Sequence, residues 1–133
     1  MQREALAARL GLGAAGLVVA LTALPYGFAR GGSVGAYYGV GLVGPAFVSL
    51  LSAIAAITLL AAARRRSDPA VAAGIAVTVS AFAVVLSVLW AFPAQEVIVG
   101  LPIPSWFGYH PLAVVLATLL LLAAAGWYAP TVL

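Results

Sequence analysis

Nine charged residues divide this 133-residue chain into long uncharged intervals: 20 residues between Arg9 and Arg30, 33 between Arg30 and Arg64, 27 between Asp68 and Glu96, and 37 after Glu96. A charge at the centre of a bilayer is costly, and about 20 apolar residues make one membrane-crossing helix. Each interval holds one such helix, and none holds two with a loop between them. With 7% charged residues and 65% hydrophobic ones, the chain lies far from the roughly 25% charged residues of a soluble domain. Four spans consume about 80 residues, and the remainder is too short for an extramembrane domain. Residues 1–133 therefore read as one transmembrane domain, an all-α integral membrane protein built as a four-transmembrane-helix bundle.

The prolines sharpen the ends. Proline lacks an N–H, fits the first turn of a helix and breaks its interior. On that rule Pro25 closes the first span, Pro45 opens the second, Pro69 opens and Pro93 closes the third, and Pro111 and Pro130 bound the fourth. Ser67-Asp68-Pro69 is the best local signal, since a Ser or Asp side chain caps free N–H groups ahead of a proline. The spans predicted are about 5–24, 45–63, 69–92 and 111–129, with ends uncertain by about 2–4 residues. Arg3 and Arg9 ahead of the apolar run from Leu10 to Leu24, with Gly27-Phe28-Ala29 after it, also have the order of a signal peptide. We take the segment as a retained helix.

Orientation follows from arginine. With the N-terminus in the cytoplasm, Arg3, Arg9, Arg64, Arg65 and Arg66 lie inside and Arg30 outside, as the positive-inside rule requires. The expected protein sits in the plasma membrane with both termini cytoplasmic and two longer outer loops, residues 25–44 and 93–110. Arg64, Arg65 and Arg66 form a cytoplasmic anchor that also meets anionic lipid head groups.

Aromatic residues crowd the expected outer end: Tyr26, Phe28, Tyr37, Tyr38, Trp90, Phe92, Trp106, Phe107 and Tyr109, against Trp127 and Tyr128 at the inner one. Rings with a polar edge anchor at the head-group level, and the outer excess suggests an aromatic cap with Trp106, Tyr109 and His110 as interaction candidates. Arg30 and Glu96, one on each outer loop, are candidates to meet and tie the loops together. The glycine-rich first loop lacks the lysine-serine ending of a phosphate loop. In the third span Ala72, Ala76, Ser80, Ala83 and Ser87 recur every three or four residues and lie on one face, a stripe that favours close helix packing and marks this helix as central.

Chemistry is scarce. The cores carry no ionisable side chain, and hydroxyls such as Ser52, Thr58, Thr78 and Ser80 are expected to bond to carbonyls one turn back. No nucleophile-base or acid pair can be assembled, so the chain is expected to be no enzyme, and no cofactor or metal site is assigned. His110 is the single imidazole. Tyr109-His110-Pro111-Leu112 is similar to a histidine-proline motif of cytochrome b561-like membrane proteins, which implies haem ligation by His110. That family uses paired histidines, and this chain supplies one.

Ala, Val, Gly and Arg abound, while Lys, Asn and Cys are missing. By composition the whole chain resembles uncharacterised small four-span membrane proteins of prokaryotes with GC-rich genomes, haloarchaea or actinobacteria. Two functions fit. One is a non-catalytic accessory or structural subunit that interacts with other membrane proteins; the other is a small oligomeric permeation or lipid-binding protein entered through the aromatic cap. The expected partners are the lipid bilayer, another membrane protein or further copies of the chain, and not nucleic acid.

Overall fold

The computed structural model describes residues 2–28, 37–39, 44–98, 100 and 108–133. Four helices dominate them: α1 (Gln2–Phe28), α2 (Pro45–Ala63), α3 (Pro69–Ile98) and α4 (His110–Val132). They run up and down in turn. Each packs on the helix before and after it, and α1 packs on α4 to close the ring. The end that carries both termini and the α2–α3 turn is called proximal below, and the opposite end distal. Every helix has two neighbours, so α3 is no more central than the others.

All four helices are long and apolar enough to cross a membrane. At 1.5 Å per residue, their 27, 19, 30 and 23 residues extend about 40, 28, 45 and 34 Å, against a hydrocarbon thickness of about 30 Å. The radial order of side chains points the same way. Alanine and serine fill the interior, with Ala15, Ser52, Ala55, Ala76, Ser80 and Ala83 all buried, while Phe47, Leu50, Ile57, Phe82 and Leu120 face outward. In water this arrangement would expose a continuous apolar surface. In lipid it is favourable, because tails solvate the large side chains and small residues bring helix backbones together. The chain reads as a multi-pass membrane protein.

Buried positions recur at alternating spacings of three and four. On α1 they are Ala8, Gly11, Ala15, Val18, Thr22 and Pro25; on α2, Val48, Ser52, Ala55, Leu59 and Ala62; on α3, Ala73, Ala76, Ser80, Ala83, Ser87, Trp90 and Ala94. This is the heptad seam of a left-handed bundle. At Gly11 an added Cβ would lie 2.5 Å from Leu59 Cδ1, so the end of the Leu59 side chain of α2 packs directly on the α1 backbone there.

Three proline-based boundaries are corrected. Pro25, Pro93 and Pro130 do not end their helices; α1 continues to Phe28, α3 to Ile98 and α4 to Val132. Leaving the helix would free several N–H and C=O groups where no water can take them, whereas a proline in place deletes one hydrogen bond. The prolines at helix starts behave as expected: Pro45 and Pro69 open α2 and α3, and Asp68 Oδ1 accepts from the Ala70 N–H at 2.8 Å.

Candidate functional site

The deletion at Pro25 creates an acceptor. With no N–H at residue 25, the Leu21 carbonyl on the preceding turn has no helical donor. His110, at the first position of α4, fills the place: its Nε2 lies 2.5 Å from the Leu21 oxygen. A carbonyl only accepts, so Nε2 carries the hydrogen and donates. In the neutral imidazole Nδ1 is then an acceptor, and it receives the Tyr37 hydroxyl at 2.6 Å. Tyr38 donates its hydroxyl to the next carbonyl of α1, that of Thr22. Trp90 of α3 donates its indole N–H to the Tyr37 carbonyl at 3.3 Å.

These bonds hold a stacked cluster. Tyr37 lies 5.1 Å from Trp90, 5.2 Å from Tyr38 and 5.5 Å from His110 between ring centroids, and Tyr38 meets Trp90 edge-on at 5.7 Å. Such tilted and edge-on pairs add about 0.5–1.5 kcal/mol each beyond the area they bury. Tyr37, Trp90 and His110 are buried. Burial, reinforced by Tyr38 in the case of Tyr37 and by Tyr26 in the case of Tyr38, pushes both phenols well above the ordinary range, so both stay neutral hydroxyls. The short segment 37–39 approaches Gly44 closely; a Cβ at Gly44 would lie 3.0 Å from the Tyr38 carbonyl oxygen.

The cluster therefore joins α1, α3, α4 and the segment ahead of α2 across the distal end. Its chemistry is that of a closed polar knot in an apolar wall. Both nitrogens of His110 are engaged, so a metal or haem would have to displace the Tyr37 hydroxyl or the Leu21 carbonyl to bind there. Cavities of about 270 Å³ beside Thr22, Tyr26 and Tyr38, and about 230 Å³ beside Phe92, Gln95 and Pro111, flank the cluster.

The residues singled out from sequence fall in different places. His110 is 4% exposed, while Tyr109, next to it, is 74% exposed and points away from the cluster. Glu96 is exposed near the end of α3. Arg30 and Trp106, and with them the proposed Arg30–Glu96 contact, lie outside the described residues. Gln95 ties the same region together through a 3.0 Å bond from its amide to the Gly108 carbonyl.

Ala72, Ala76, Ser80, Ala83 and Ser87 are all buried along the inner face of α3. Ser80 donates to the Ala76 carbonyl at 2.5 Å, and Thr22, Ser52, Thr58 and Thr78 likewise donate to carbonyls of the preceding turn. Ser87 also meets Thr118 of α4 at 3.0 Å, while each lies within bonding distance of a carbonyl on its own helix. Two hydroxyl hydrogens thus serve three contacts.

Arg64, Arg65 and Arg66 are exposed at the proximal end. The Arg66 N–H reaches the Ala61 carbonyl at 2.8 Å and the Arg65 N–H the Ala62 carbonyl at 3.0 Å, the paired bonds of a Schellman ending. Among the described residues no three His, Asp or Glu side chains gather as a metal-binding set.

A family model, that of a family of unknown function designated DUF7548, matches residues 1–133, the whole length of the chain. The chain belongs to DUF7548. No match is found among curated proteins or among solved structures. In this DUF7548 protein the site residues that sequence reasoning passed over are Leu21, Tyr37 and Trp90. Tyr37 and Trp90 were visible only as members of an aromatic excess. The available signal was Pro25, whose missing N–H marks Leu21 as an acceptor for any donor brought near it.

Proposed function

We propose that this chain is a non-catalytic integral membrane subunit that packs against another membrane protein. The closed, small-residue interior carries the reading. Alanine-rich clusters fill the bundle from Ala7 and Tyr128 at the proximal end, through Ala15, Ala55 and Leu121, to Trp90 and Tyr37 at the distal end. The buried serine and threonine hydroxyls of this interior are spent on their own helix or on each other, and the distal aromatic residues form a plug rather than an entrance.

The docking face we favour is the groove between α1 and α4, about 400 Å³, with Gly13, Ala14, Ala123 and Ala124 as a small-residue floor between Leu17 and Leu120. A floor of small residues flanked by leucines suits a transmembrane helix. We place both termini on the cytoplasmic side of the plasma membrane, on the five-to-one distribution of arginines.

The test is a photo-crosslinking side chain at Gly13 or Ala123 in intact cells, with Phe82 as a control on the lipid-facing surface. A discrete adduct with one membrane protein at the groove positions, absent at Phe82, is the expected result. Solute or ion flux through reconstituted vesicles that rises with Trp90→Ala would overturn the reading in favour of a permeation pathway.

A further inference from the structure

At the proximal end, Glu4, Ala5 and Ala8 of α1, Ala63 and Arg65 at the end of α2, and Tyr128 of α4 enclose a cavity of about 170 Å³. That is room for about five waters or one small polar group. Tyr128 is buried, and its hydroxyl has no hydrogen-bond partner among the described residues. Buried polar atoms are almost always paired, so this orphan, on a side chain that lines the cavity, points to a group that enters it.

Arg65 adds a separate observation. It occupies the left-handed position of the Schellman ending at φ 59°, the one described non-glycine residue with positive φ. Glycine takes that position without strain. Here a strained arginine stands in its place and lines the cavity.

We propose that this cavity binds the head group of an amine-bearing phospholipid, with the phosphate held by the Arg65 guanidinium and the Tyr128 hydroxyl and the ammonium by the Glu4 carboxylate. A bare anion would be repelled by Glu4 and a bare cation by Arg65. A group carrying both charges a few bonds apart meets a partner for each, and the alanine walls accommodate its methylenes. The cavity also lies at the end of the bundle that carries Arg64 and Arg66, exposed next to Arg65, residue types that settle at the level of lipid phosphates. A lipid is therefore the occupant rather than a solute from the aqueous phase. This site is separate from the α1–α4 groove and does not depend on a protein partner.

The experiment offers the purified full-length chain equal amounts of phosphatidylethanolamine and phosphatidylglycerol in mild detergent and counts retained molecules by native mass spectrometry. Retention of phosphatidylethanolamine is expected to exceed that of phosphatidylglycerol by about tenfold, the effect of one good charge-assisted hydrogen bond. Glu4→Gln should bring the two lipids near parity, and Arg65→Gly and Tyr128→Phe should each lower phosphatidylethanolamine retention. Because Arg65→Gly relieves backbone strain and Tyr128→Phe removes an unpaired atom, neither should lower the lipid-free melting temperature, which separates lost binding from lost fold. Equal retention of the two lipids, or a preference unchanged by all three substitutions, would overturn the proposal. Free phosphoethanolamine competing as well as the lipid would overturn the lipid as occupant.

Discussion

His110 looks from its sequence neighbours like an interfacial residue or a metal ligand, and its surroundings make it a clasp. It donates to α1 through Nε2 and accepts from Tyr37 through Nδ1, so its removal takes one hydrogen bond from the Leu21 carbonyl and one from the Tyr37 hydroxyl. His110→Ala should destabilise the protein by about 1–3 kcal/mol, read as a lower melting temperature in detergent. Tyr37→Phe, which removes only the bond to Nδ1 and keeps the ring stack, should cost less; an equal or larger loss would contradict the assignment of His110 as the clasp. Arg65 poses the opposite case. Relief of its left-handed backbone by Arg65→Gly should raise lipid-free stability by about 1–2 kcal/mol, and a fall would show that the side chain itself braces the turn.

At the scale of elements, α1 is shaped by what Pro25 withholds. Pro25→Ala would restore an N–H for the Leu21 carbonyl, so the helix and His110 would compete for one oxygen. His110→Ala should then cost less in a Pro25→Ala background than alone, with a coupling of about 1 kcal/mol in a double-mutant cycle. Additive losses would argue that the bond to Leu21 contributes nothing. On α3, Ala76 and Ser80 face the interior. Replacing both by Leu should overpack the seam at about 1–3 kcal/mol per site, seen as a loss of thermal stability. The same two changes at the outward-facing Val71 and Phe82 should be tolerated.

For the whole molecule, the arrangement rests on small residues along most of the interior, with buried aromatic residues at each end, and many large apolar ones outside. The positive-inside reading predicts that a reporter active only in the cytoplasm works when fused to Leu133, and activity confined to the outer side would reverse the assigned orientation. Much of the architecture was legible in the chain because the constraint is one-dimensional. A charge at the bilayer centre is forbidden wherever its helix packs, so the uncharged intervals place the spans without reference to neighbours. Prolines at helix starts are legible for the same local reason: Pro45 and Pro69 lack an N–H that the first turn does not use.

Other features depended on contacts between distant segments. Whether Pro25 and Pro93 end a helix depends on the solvent around the freed backbone, and in lipid continuing is the cheaper course. The partners of His110 lie 73 and 89 residues away. The orphan hydroxyl of Tyr128 becomes visible only when α1 and the end of α2 are set beside α4. The amino-acid order thus determined the number of helices and their extent to within two turns. Which small-residue faces look inward, which carbonyl the histidine holds and which polar atom is left unsatisfied were decided by packing, because those properties belong to pairs of residues rather than to any stretch of sequence.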